Sequence, residues 1–148
     1  PLIHLAPQLI TTTSQLRELL LRFEQQRTEF ALCHTDLNPQ HILVDGDQLG
    51  DQLGGVIDFG DAAVVPPAFD IASFAYYFGW QSTEALLEGY TTNNILRDIR
   101  RAEAHQLSIA LALHKIEKHV VHIPDEDRLA TAMDFLKETL PVAARRPT

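Results

Sequence analysis

Between Cys33 and Asp45 the chain reads CHTDLNPQHILVD, which crowds His34, Asp36, Asn38, Gln40 and His41 into one short loop. A loop that only joins two elements is built from turn formers that satisfy the backbone cheaply. These side chains instead move protons and bind cations. Asp58 follows later, inside the apolar segment IDFGD. A strand at Ile42 to Val44, paired in a hairpin with one at Val56 to Phe59, would carry the loop before the first strand to the end of the second. Asp36, His41 and Asp58 are therefore expected on one edge. One carboxylate there can accept a proton from an attacking hydroxyl. The other, with a neighbouring ligand, can hold a divalent cation against phosphate oxygens. Phosphoryl transfer asks little more of this half of a site, because its catalysis is mostly positioning and charge neutralisation.

The elements that must hold these groups follow from the hydrophobic pattern. Thr12 to Arg27 sets Leu16, Leu19, Leu20 and Phe23 on one helical stripe, with Thr13 or Ser14 as N-cap. Phe30-Ala31-Leu32 is a short extended entry to the loop. The hairpin strands are read at Ile42 to Asp45 and Gly55 to Phe59. The connection between them, DGDQLGDQLG, contains Gly-Asp-Gln-Leu twice, and the second copy is read as an extension of an exposed tip. From Pro67 the pattern is helical: PAFDIASFAYYFG, a separate helix STEALLEGY capped by Ser82, a long helix from Asn94 to His122 stopped by Pro124, and a last one from Asp125 through Leu140. Leu129, Met133, Phe135 and Leu136 lie on or near the inner face of the last helix. The expected class is α+β, mostly α, with one small hairpin at the reactive loop.

A chain of 148 residues with 45% hydrophobic and 22% charged side chains has the profile of one globular domain. Its single cysteine, Cys33, forms no internal bridge, and no basic leader with an apolar run opens the sequence, so a reducing, cytoplasmic setting is expected. Apolar runs such as Ile71 to Trp80 fall short of the roughly 20 residues needed to cross a bilayer, so no membrane partner is expected. A net charge of -8 would repel a phosphate backbone, which argues against nucleic acid, whereas a cationic small molecule is easily accommodated.

On these residues the chain resembles the aminoglycoside phosphotransferase family, distant relatives of protein kinases. HTDLNPQHILVD is similar to the family's H-G-D-x-x-x-x-N loop. GVIDFGDAAVVPPAFDIA is similar to its metal-binding strand followed by a D-P-x-x-D-L-A helix start. The resemblance runs from about Cys33 to Ala75 and implies the C-terminal lobe of a protein-kinase-like fold over residues 1–148. It implies Asp36 as catalytic base and Asp58 as magnesium ligand. It also implies His34 as the brace between the loop and the Asp-Phe-Gly segment, and Asp70 as the acid tying the first large helix to the loop backbone. Thr35 stands where glycine is commonest. His41 replaces the usual metal-binding asparagine, in the manner of the aminoglycoside 2''- and macrolide 2'-phosphotransferase branches, and is expected as a second metal ligand. DFGDAA favours the aminoglycoside branch. Asp61 is assigned to bonding within the turn.

The resemblance further implies Mg2+, ATP or GTP as phosphate donor, and a small-molecule hydroxyl acceptor such as an antibiotic. The family's β-rich nucleotide-binding lobe has no counterpart in Pro1 to Leu32, which holds no lysine and no glycine-rich turn. The isolated chain is thus expected to be inactive alone, and to self-associate through the apolar surface that a missing lobe would leave. A non-catalytic binding lobe is the alternative. His105, His114, His119 and His122 lack the i, i+4 spacing of a helical metal pair. Trp80, Glu84, Glu88 and Asp125 to Asp127 could line an acidic pocket for an amino sugar, but they also read as a solvated helix face and an acidic helix start. Gly54-Gly55 precedes a strand and is not a phosphate loop.

Overall fold

A computed structural model describes residues 29–46 and 52–143. The helix expected over Thr12 to Arg27 lies outside the described residues. Four short strands come first: β1 (Ala31–Cys33), β2 (Ile42–Asp45), β3 (Gln52–Val56) and β4 (Ala63–Val65). β2 pairs antiparallel with β3, and β1 pairs antiparallel with β4, with Leu32 opposite Val64. The arrangement is one long hairpin whose middle is opened into two facing loops, residues 34–41 and 57–62. The two paired ribbons close it on either side. The Ile57 N–H donates to the His41 carbonyl at 2.9 Å, where the inner ribbon ends and the loops begin.

The inner hairpin differs from expectation in two ways. β3 begins at Gln52, so part of the second Gly-Asp-Gln-Leu copy is strand: Gln52 faces Asp45 and Leu53 faces Val44. A bulge follows that copy, since Leu43 faces Gly55, Val44 faces Leu53 and Gly54 is left over. A side chain on Gly54 would come within 3.1 Å of the Asp45 carboxylate, so glycine suits the bulge. β3 also ends at Val56, before the expected Phe59. Asp58 is not on a strand; it adopts the left-handed conformation at φ 62° and starts a 3-10 turn, Phe59–Asp61.

Three helices follow. α1 (Ala68–Tyr90) carries small residues, Ala68, Ala72, Ser73 and Ala75, on its buried side, which lets its neighbour approach closely. It is broken at Gly79, whose φ of 77° suits a residue without Cβ. The second segment therefore starts after Gly79, and Ser82 lies inside it instead of capping it. The Thr83 hydroxyl donates to the Gly79 carbonyl at 2.9 Å. α2 (Asn94–Glu117) is capped by Asn93, whose side chain accepts from the Leu96 N–H at 3.1 Å, and it loosens into a π turn, Lys118–His122. α3 (Glu126–Ala143) starts where the Asp125 carboxylate accepts from the Arg128 N–H at 3.0 Å.

Two apolar clusters hold the helices. Ile71, Leu87 and Ala104 belong to one; Ala75, Ile109, Phe135 and Leu136 belong to the other. Trp80 packs against both, its ring stacked 3.5 Å from His105 and its N–H donating to the Thr139 hydroxyl at 3.3 Å. The break at Gly79 thus frees the residue that joins the two halves of the core. No helix among the described residues is long and apolar enough to cross a membrane.

Candidate active site

The first loop is built around its backbone. Asp70, in the first turn of α1, accepts from the His34 N–H and the Thr35 N–H, one oxygen each, both at 2.8 Å. That bidentate grip on two successive amides fixes Thr35 at φ 67°, a left-handed conformation costly for a β-branched residue. The Thr35 hydroxyl donates to the Asp61 carbonyl at 2.7 Å, crossing to the other loop. Asp61 contributes through its backbone in the turn, while Ser73 of α1 donates to the Leu37 carbonyl at 3.2 Å.

His34 is buried, and its ring joins the two loops. Nε2 lies 2.7 Å from the Ile57 carbonyl, and Nδ1 lies 3.3 Å from the Asp36 N–H. The partners fix the tautomer: Nε2 donates and Nδ1 accepts. One ring therefore positions the residue before Asp58 and the backbone of Asp36, and it packs 4.7 Å from the Phe59 ring. Behind it, burial and then the charge of Asp70 push the Cys33 thiol up, against the opposing effect of its bond to Val65. As a neutral thiol it donates to the Val65 and Pro66 carbonyls at 3.6 and 3.7 Å.

Asp36, His41 and Asp58 come together. His41 stands between the two acids: Nε2 is 3.3 Å from Asp58 Oδ2, and Nδ1 is 3.7 Å from Asp36 Oδ2. His41 Nδ1 also lies 2.9 Å from the Asp36 carbonyl oxygen, which can only accept, so Nδ1 carries a proton. With Nδ1 protonated, His41 turns Nε2 toward the Asp58 carboxylate, an arrangement in which a cation could be met from both sides. Asn38 orders this corner. Its amide nitrogen donates to Asp36 Oδ2 at 3.1 Å, and its carbonyl oxygen caps the 3-10 turn Pro39–His41. From sequence Asn38 is only one of the loop's crowded polar residues, with no role assigned, and Ser73 carries no expectation. An Asn before Pro-Gln-His is itself an N-cap signal, and Ser73 sits one turn beyond Asp70.

Among the described residues no three His, Cys, Asp or Glu side chains form a ready-made metal cluster. The donors present suit a cation that brings most of its own ligands: the Asp58 carboxylate, 63% exposed, and the lone pair of His41. Magnesium fits that description, since it keeps several waters and takes one or two protein carboxylates alongside phosphate oxygens.

Next to Asp36 opens a cavity of about 480 Å³, bounded by Asn38 and Gln40 of the loop, Tyr76 and Tyr77 of α1, Lys115 of α2, Lys118, and Arg128 of α3. The acidic residues considered for an acceptor pocket do not line it. Both Glu84 oxygens are taken by Arg101, at 2.7 and 2.6 Å, and Trp80 is in the core. Asp125 caps α3 and pairs with Arg128 at 3.4 Å. His105 lies under Trp80, and burial pushes its pKa down to about 4.

Residues 4–105 match the model of the APH phosphotransferase enzyme family. In fold the chain is similar to the GDP complex of aminoglycoside 2'-phosphotransferase-IIIa, with a TM-score of 0.61 and 24% identity over 86% of this chain and 44% of that one. It is also similar to an ethanolamine kinase of Plasmodium vivax, with a TM-score of 0.55 and 19% identity over 97% of this chain and 41% of that one. A curated relative, the uncharacterized protein YcbJ of Bacillus subtilis (strain 168), is 38% identical over 60 residues, 40% of this chain and 19% of that protein. The chain thus spans less than half the length of these relatives, and its mostly helical architecture is that of the C-terminal lobe of a kinase-like fold. With well over half of its residues matched by the family model, the chain belongs to the APH phosphotransferase family.

Proposed function

We propose that this chain is the catalytic and acceptor-binding lobe of a small-molecule phosphotransferase. Asp36 is its general base. Asp58, with His41, is its contact to a magnesium ion on the phosphates of ATP or GTP. The observation that carries this reading is the single imidazole of His41 lying within 3.7 Å of one carboxylate and 3.3 Å of the other, with the first of these, Asp36, on the wall of a cavity of small-molecule size.

The residues divide the work. Asp36, oriented by the Asn38 amide, takes the proton of an acceptor hydroxyl held in the cavity. The hydroxyl oxygen bonds to the γ-phosphorus as the bond to the β-phosphate oxygen breaks, and a nucleoside diphosphate leaves. Bound magnesium supplies neutralisation of the phosphate charge. Asp58 and His41 fix where that charge is met, and His34 and Asp70 keep both acids in place through the backbone. A general base contributes about 10²- to 10⁴-fold to rate.

The nucleotide clamp is proposed to come from a further lobe of a longer protein. Exposed apolar side chains on both ribbons, Leu32 and Val64 on one and Leu43, Val44 and Leu53 on the other, are the surface on which it would sit. The same surface favours a second reading, a non-catalytic lobe that self-associates. Thermal stability of the 148-residue chain measured against magnesium concentration separates the two. Stabilisation lost in Asp58→Ala supports the phosphotransferase, and a concentration-dependent dimer indifferent to magnesium supports the second. In a version extended to carry the nucleotide lobe, Asp36→Asn is expected to slow transfer by about 10²- to 10⁴-fold while leaving the magnesium response intact.

A further inference from the structure

The cavity beside Asp36 has a charge opposite to that of the chain. In a protein of net charge -8, it is lined by Lys115, Lys118 and Arg128, and among the described residues Asp36 is the one carboxylate on its wall. Lys115 is half-buried, its ammonium donating to the Tyr77 hydroxyl at 3.2 Å and lying 5.9 and 5.6 Å from the Tyr76 and Tyr77 ring centres. Lys118 is half-buried as well, and among the described residues neither lysine has a carboxylate within ion-pair distance. Arg128 shares its charge with Asp125 at 3.4 Å. Two half-buried ammonium groups beside an aromatic floor attract an anion more strongly than exposed lysines would, and they repel an amine.

We propose that the acceptor presented to Asp36 is an anionic hydroxyl compound, a hydroxy acid or a phosphorylated polyol, with its charged group held by Lys115 and Lys118. The inference rests on the phosphotransferase reading for the role of Asp36, but the charge preference is a property of the cavity alone. Tyr76 and Tyr77 offer the carbon skeleton an apolar face, and the Tyr76 phenol, pushed up by burial and by Tyr77, stays protonated and able to donate. The base and the two ammonium groups lie on the walls of one cavity of about 480 Å³, so one small molecule can meet both.

Four compounds with a hydroxylated six-carbon skeleton and different charge test this: gluconate, glucose 6-phosphate, glucose and glucosamine. Binding to the 148-residue chain is followed by amide chemical shifts, without nucleotide. At least one of the two anions is expected to bind about tenfold or more tightly than glucosamine, with shifts centred on residues 76, 77, 115 and 118. The stronger of the two identifies carboxylate or phosphate as the preferred group. Lys115→Gln with Lys118→Gln is expected to erase the preference, and Lys115→Arg with Lys118→Arg to retain it. Glucosamine binding as well as the anions, no preference among the four, or an anion preference that survives both glutamines overturns the proposal. Because nucleotide is left out, failure of phosphoryl transfer in a longer chain does not touch this result. Transfer onto a cationic acceptor bound in this cavity would end the proposal while the phosphotransferase reading stands.

Discussion

The facing loops, residues 34–41 and 57–62, and the three helices behind them keep their shapes by different means. The helices bury Ile71, Leu87, Ala104, Ile109 and Ala112 almost completely, and their geometry follows from apolar area removed from water. The loops bury only His34 among the residues of the candidate site and leave Asp58 largely exposed. They are held instead by directed bonds from Asp70, His34, Ser73 and Asn38, and they contain both non-glycine residues with positive φ, Thr35 and Asp58, found among the described residues. Burial is tolerant of direction, whereas hydrogen bonds fix it. A site that must hold two carboxylates on either side of one imidazole is built from the second kind of contact and leans on the first for support.

If the two regions are separable in this way, damage to one should spare the other. The largest effect is expected from Leu87→Ala, which empties a fully buried position and should cost about 2–5 kcal/mol in urea unfolding. Amide shifts of residues 34–41 should stay where they are. Shifts that move throughout the loop would show that the loop depends on core packing as well as on its own bonds.

The next effect is a pH dependence belonging to the helices alone. His105 is buried under Trp80 with its pKa lowered from 6.5 to about 4, desolvation being the main cause; Arg101 acts in the same direction and Glu84 against it. The folded state therefore binds fewer protons than the unfolded state between those values. The contribution of neutral His105 is fully present above pH 6.5 and is lost as pH falls toward 4, by about 3 kcal/mol at most. His105→Phe keeps a ring against Trp80 and removes the titration. Its stability should fall less steeply than that of the parent across that window, and parallel curves would remove His105 as the source.

A smaller loss is expected where the regions meet. Asp70→Asn leaves one acceptor for two N–H donors and turns its amide toward the other, at a cost of about 2 kcal/mol. Exchange of the His34 and Thr35 amides should accelerate more than exchange in the second half of α1. Equal acceleration would mean that Asp70 serves the helix start more than the loop.

What could be read from sequence divides along the same line. The helical block was legible because Pro67, Pro124 and Asp125 punctuate it and its apolar spacing is regular. The misplaced Ser82 cap shows the limit: a good capping residue three positions past Gly79 looks like a helix start, and only the φ of that glycine moves the start earlier. In the loops the residues that meet were legible, but the backbone that makes them meet was not. A strand running through Asp58 satisfied the apolar pattern, whereas the chain leaves the ladder at Val56 and turns left-handed at Asp58. Phe30 to Leu32 was legible as extended chain and β1 lies there, but its partner β4 was not, because a three-residue strand carries too little alternation to be seen. The basic lining of the cavity beside Asp36 was not legible, because Lys115 and Lys118 lie near the end of a long helix, far in sequence from Asp36. Of the acidic residues weighed for a pocket, Glu84 pairs with Arg101 and Asp125 with Arg128.

The smallest expected effect tests whether loop strain is stored in the backbone. Thr35 at φ 67° carries a conformational cost of about 1–2 kcal/mol, offset by the Asp70 grip and by its hydroxyl bond to the Asp61 carbonyl. Thr35→Gly removes the strain. It also loses the hydroxyl bond, worth about 0.5–1.5 kcal/mol, and adds about 0.5–1 kcal/mol of unfolded-state entropy. The terms nearly cancel, so this variant should unfold within about 1 kcal/mol of the parent. Thr35→Val keeps the branched Cβ and the strain but loses the bond, so it should fall below both by about 1 kcal/mol. The order parent near glycine, with valine lowest, assigns the strain to the backbone. A glycine variant as unstable as valine would instead make the side-chain bond between the two loops the contact that fixes Asp36 relative to Asp58, and the directed bonds of this region would then outweigh its backbone conformation.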